Sequence, residues 1–96
     1  MISLTETINI LSMFKQELNQ KYPIASIGLF GSIVRDDFTE NSDIDIIVEF
    51  NGRIGIEFID LAEELEEKLN WKVDLVSKRG IKPKYLEVIE KEIIYV

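Results

Sequence analysis

From Asp43 to Phe50 every second residue is apolar, and all but one of those between are acidic. Ile44, Ile46, Val48 and Phe50 share one parity, while Asp43, Asp45, Ile47 and Glu49 share the other. An extended chain sends successive side chains to opposite faces, so this stretch predicts a strand with one face for a core and one that carries carboxylates. Elements of complementary pattern flank it. Ser3-Leu-Thr-Glu6 has the form of a helix capping box. Ile8, Leu11, Phe14 (with Met13 beside it) and Leu18 then follow at helical spacing to about Lys21, and Pro23 ends the run. Ile24 to Phe30 reads as a short buried strand closed by Gly31, with Ser32 placed to cap a helical turn through about Asp36.

The second half repeats the theme. Thr39 to Ser42 and Asn51-Gly52 carry turn chemistry. Ile56 to Asn70 predicts a helix with Phe58, Leu61, Ala62, Leu65 and Leu69 on one stripe and glutamates outside. Trp71 to Val76 predicts a third strand. Pro83 suits the first turn of a last helix whose apolar face would take Leu86, Ile89 and Tyr85. Ile93 to Val96 reads as a closing strand or an apolar tail. The predicted fold class is therefore α/β, a small mixed β-sheet with helices packed on it, in a single domain over residues 1–96.

Composition removes most chemistries. There is no cysteine and no histidine among the 96 residues. Thiolate nucleophiles, disulfides, Cys or His metal sites and the commonest general base are all excluded. Any metal must bind through oxygen, which points to Mg²⁺ or Mn²⁺. The net charge of −7 argues against direct nucleic-acid binding, which needs a surplus of cations on one face. The one basic cluster is Lys78, Arg79, Lys82 and Lys84. No apolar run approaches the roughly 20 residues needed to cross a bilayer. The first residues have no basic region followed by an apolar stretch, so the expected location is cytoplasmic.

Asp43 and Asp45 point the same way on the predicted strand, roughly 7 Å apart by strand rise. Such a pair raises both pKa values unless a cation lies between them. The same pair is also what a solvated strand face looks like. Asp74, inside Val73-Asp-Leu-Val76, is either an edge-strand acid facing water or a third carboxylate converging on them. Gly31-Ser32 at a strand-to-helix turn can bring backbone N–H groups close to phosphate. Arg35, one turn on, can reach a triphosphate or pair with Asp36 or Asp37.

Together, Gly31-Ser32, ten intervening residues, Asp43-x-Asp45 and a later Asp74 in a Val-Asp-Leu-Val strand resemble the nucleotidyltransferase superfamily that includes DNA polymerase β. With Phe58 to Leu65 and Lys82-Pro-Lys84, nearly the whole chain is similar to the minimal nucleotidyltransferase (MNT) domains, the antitoxin halves of HEPN/MNT toxin–antitoxin pairs. The resemblance implies a polymerase β-like fold in which Asp43, Asp45 and Asp74 bind Mg²⁺ as a two-ion site. Gly31 and Ser32 would hold the triphosphate. It further implies transfer of AMP from ATP to a tyrosine hydroxyl of a cognate HEPN RNase toxin, in a hetero-oligomer with that toxin. A chain this short is expected to carry no acceptor domain, so a protein acceptor would bring its own binding surface. Two other readings share the motif, a non-catalytic module that neutralises a toxin by contact and a small-molecule nucleotidyltransferase. One position departs from the family, which often has glycine after the arginine where this chain has Asp36.

Overall fold

A computed structural model describes Met1 to Val96. Ser3 accepts from the Glu6 amide at 3.1 Å and opens helix α1, Leu4–Lys21, as the capping pattern predicts. Thr7 lies fully buried in its first turn, its hydroxyl donating to the Ser3 carbonyl at 2.8 Å. Strand β1, Ile24–Phe30, follows and runs into a short 3₁₀ turn at Gly31–Ile33. Strand β2, Ile44–Phe50, is joined through helix α2, Glu57–Leu69, to strand β3, Val73–Ser77. A second 3₁₀ turn at Lys78–Gly80, helix α3, Pro83–Glu90, and strand β4, Ile94–Tyr95, complete the chain.

The sheet order is β3-β2-β1-β4. β1 is antiparallel to both β2 and β4, while β2 and β3 are parallel, as a helical crossover requires. β2 is therefore interior and its parity decides two environments. Ile44, Ile46 and Val48 are 0% exposed and join a buried cluster with Leu11, Leu18, Leu29, Leu61, Leu65 and Leu69. Full burial of each such side chain contributes about 1.5–3 kcal/mol. α1 and α2 are further tied by Lys68 Nζ, 2.7 Å from Glu17, and by Tyr22, whose hydroxyl donates to Glu64 at 3.0 Å. Ile47 is also buried but stands outside that cluster, on the opposite face.

Three local expectations are corrected. The third strand begins at Val73 rather than Trp71, because Asn70 caps α2 in the left-handed region and the Trp71 indole N–H turns to the Ser42 carbonyl at 2.8 Å. Ser32 does not cap the turn after β1; it lies inside it, and the position before the turn is Phe30. Tyr85 is 54% exposed, because only Leu86 and Ile89 of α3 turn inward. Ile93 to Val96 resolves as a two-residue strand that pairs Gly28 with Tyr95 and Leu29 with Ile94.

Candidate active site

The acid-bearing face of the sheet is assembled by register. Phe30 pairs with Asp45 and Asp45 with Asp74, forming one row across three strands. Directly paired residues share a face, so Asp45 and Asp74 are brought side by side by the parallel pairing of β2 and β3. Asp43 precedes β2 and is exposed; Asp74 is exposed on the edge strand; Asp45 is half-buried between them. The Asp45 carboxyl is pushed up to about 6, first by burial, then by the negative charges of Asp74 and Asp43. Asp74 lies within hydrogen-bonding reach, and Arg35 partly offsets the repulsion.

The turn after β1 touches these acids directly. Gly31 has φ +74°, a conformation that disfavours any side chain. A Cβ there would also collide with the Asp45 carboxylate. Glycine at this position is thus required twice, by backbone conformation and by contact with the central acid. The Ser32 amide and hydroxyl take no partner within the protein, and both remain available as donors.

The predicted Asp36 departure has a conformational reason. Asp36 has φ +70°, where glycine is the least strained residue and aspartate among the better tolerated. Its side chain is exposed and lines a shallow groove with Met1, Leu4, Ile33 and Phe38, away from the acid row.

Arg35 does not stand free. Its Nη1 lies 3.1 and 3.3 Å from the two carboxylate oxygens of Glu92, and its Nε is 3.7 Å from Asp37. Glu92 also accepts from the Gly31 amide at 3.0 Å. This residue was invisible to sequence reading. It sits 61 positions from Gly31, and its only local signal is an acid directly before an apolar terminal run.

A polar cavity of about 440 Å³ adjoins Asp43, lined by Glu40, Asn41, Ser42, Trp71 and Lys72. Its wall is held by the Thr39–Ser42 turn, in which the Ser42 hydroxyl accepts from the Thr39 amide at 3.0 Å. Of the basic cluster, Lys78 pairs with Glu90 at 3.6 Å.

The donor set suits a hard divalent cation. The acids are not drawn into a closed cage of three on their own. They do present one half-buried carboxyl, raised to about 6, between two others. A cation shared among them relieves that repulsion, and carboxylate oxygen is the ligand Mg²⁺ prefers.

The nucleotidyltransferase domain family matches residues 11–96. The chain is 39% identical over 97 residues to protein adenylyltransferase MntA of Thermococcus cleftensis, covering all of this chain and 98% of that one. A solved toxin–antitoxin structure with AMP-PNP superposes at a TM-score of 0.73 with 26% identity, over 93% of this chain and 70% of that chain. A tri-AMPylated Shewanella oneidensis HEPN toxin in complex with MNT antitoxin matches at a TM-score of 0.69 with 25% identity, over the same 93% and 70%. An α/β domain with a carboxylate row beside a Gly-Ser turn is the architecture of an enzyme that handles nucleoside triphosphates, and this chain belongs to the nucleotidyltransferase domain family.

Proposed function

We propose that the chain, acting as one domain across residues 1–96, is a Mg²⁺-dependent protein adenylyltransferase. It would move AMP from ATP to a tyrosine hydroxyl of a HEPN-type toxin with which it forms a hetero-complex, and so serve as the antitoxin. The observation that carries this reading is the half-buried Asp45, flanked by Asp43 and Asp74 and packed against Gly31. Similarity to MntA and to MNT–HEPN complexes supports both the nucleotide and the class of acceptor.

In this reading Asp43, Asp45 and Asp74 would hold two Mg²⁺ ions, which would supply neutralisation of the triphosphate's charge. The acceptor oxygen bonds to the α-phosphorus as the bond from that phosphorus to the bridging oxygen of pyrophosphate breaks. Asp74, exposed on the edge strand where a hydroxyl carried by another protein can reach it, is the carboxylate we assign to receive the hydroxyl proton. Ser32, with free amide and hydroxyl donors, binds phosphate oxygens. Arg35 orients the departing pyrophosphate. Gly31 acts chiefly by letting the turn approach Asp45, since its amide is engaged by Glu92.

No helix is long and apolar enough to cross a membrane. ATP and Mg²⁺ occur together in the cytoplasm, which is where we assign the reaction. Incubation with radiolabelled ATP, Mg²⁺ and the HEPN-type partner is expected to label that partner with AMP. Equal labelling by Asp43→Asn or Asp45→Asn protein would sink the mechanism. An inhibited partner that mass spectrometry finds unmodified would favour neutralisation by contact.

A further inference from the structure

We infer that Glu92 is a positioning residue for triphosphate binding, fixing the Gly31 amide and the Arg35 guanidinium from the segment between α3 and β4. The inference rests on the proposed function and extends it to a residue outside the Gly-Ser and aspartate motif.

The carboxylate makes two different bonds at once. One oxygen accepts from the Gly31 amide at 3.0 Å and from Arg35 Nη1 at 3.1 Å, and the other lies 3.3 Å from the same nitrogen. Each bond answers a local need. Gly31 is buried, at φ +74°, and its amide donor would otherwise be unsatisfied. Arg35 is half exposed, and a free arginine loses rotamer freedom when it is immobilised on a ligand. Glu92 removes both problems before nucleotide arrives, which is preorganisation.

The donor count of Arg35 permits this. A guanidinium has five N–H donors in a rigid fork, and Glu92 engages Nη1. Nη2 stays available for phosphate oxygens. The peptide plane entering Gly31 is set by the same carboxylate, and Gly31 packs on Asp45. Glu92 therefore links the terminal segment to the acid row through the turn. Its side chain is only 26% exposed, so the bonds are partly shielded from competing water.

The test is nucleotide binding to the whole chain, with AMP-PNP and Mg²⁺ as the probe and no transfer step involved. Glu92→Ala is expected to weaken AMP-PNP binding about tenfold, the loss of hydrogen bonds to a charged group. With the HEPN-type partner present, KM for ATP should rise by a similar factor while kcat at saturation changes less than about threefold. Glu92→Gln keeps an acceptor for the Gly31 amide but loses the ion pair, and should fall between the two at about threefold. In ¹H–¹⁵N spectra the Gly31 amide proton should move upfield in Glu92→Ala, and in the native chain it should move little when AMP-PNP binds. Unchanged or tighter AMP-PNP binding by either variant overturns the inference, even if melting temperature falls, because that pattern belongs to a purely structural latch. A large shift of the native Gly31 amide on AMP-PNP binding also overturns it, since the carboxylate would then be a placeholder displaced by phosphate. If the native chain binds no AMP-PNP, the proposed function and this inference fall together. If it binds and the variants match it, only this inference falls.

Discussion

The two faces of β2 are built from adjacent residues and obey opposite rules. Ile46 sits in the row Leu29–Ile46–Leu75, fully buried beneath the α1–α2 layer. Asp45, one residue earlier, sits in the row Phe30–Asp45–Asp74, where like charges crowd. The first row lowers the energy of the fold and performs no chemistry. The second raises that energy, and it is where we propose the site. A central strand with period-2 alternation lets the stable row hold the unstable one in place, because a shift in register would move both sets to the wrong face.

That contrast can be broken most sharply at its polar member. Asp45→Asn is expected to reduce AMP transfer by at least about a hundredfold, since metal-assisted charge stabilisation is worth several kcal/mol. The same variant should melt no lower than the parent in metal-free buffer. A variant that lost activity only by unfolding would contradict the assignment.

Ile46→Ala is the mirror experiment. It should cost about 2–5 kcal/mol in urea unfolding through lost burial and the cavity left behind. Nucleotide affinity per folded molecule should survive. Gly31→Ala tests the point where the turn meets the acid row. The positive φ and the collision with Asp45 predict a stability loss on the order of 1–3 kcal/mol together with weakened AMP-PNP binding. Retained affinity would mean that the turn and the acids are independent.

Acid titration sharpens the contrast further. The Asp45 carboxyl is raised from 3.8 to about 6 on folding, so between those values the folded chain holds a proton that the unfolded chain has released. Its contribution to stability is therefore present below about pH 4, is lost as pH rises toward 6, and stays lost above. The native chain should lose on the order of 1 kcal/mol relative to Asp45→Asn across that window, the exposed part of the repulsion being screened by water. A difference that stays flat with pH would remove the repulsive row. The smallest effect is expected at Asp36→Gly, which should gain about 0.5–1 kcal/mol by relieving a left-handed aspartate, with AMP-PNP affinity unchanged.

Much of this was legible because period and cap are local signals. The Ser3 cap, the Ile24–Phe30 and Ile44–Phe50 strands and the stripe of α2 each declare themselves within a few residues. The pairing of Asp45 with Asp74 followed only if two strands were neighbours, which the crossover through α2 then made so. Trp71 misled because its β-favouring side chain is spent on a loop carbonyl rather than on the ladder. Glu92 could not be read at all. Its partners are set by where β4 docks on β1, and Gly28 governs that docking, since a Cβ there would stand 2.7 Å from Ile93 Cγ2.

The bond from Trp71 to the Ser42 carbonyl also makes the protein its own optical instrument. Trp71 is the chain's single tryptophan, its ring centroid 5.5 Å from that of Phe38 with the planes tilted by 40°, and it is tethered to the residue immediately before Asp43. A ligand that moved Asp43 would also move the Ser42 carbonyl, so the indole emission is expected to change when AMP-PNP and Mg²⁺ bind, with no dye attached.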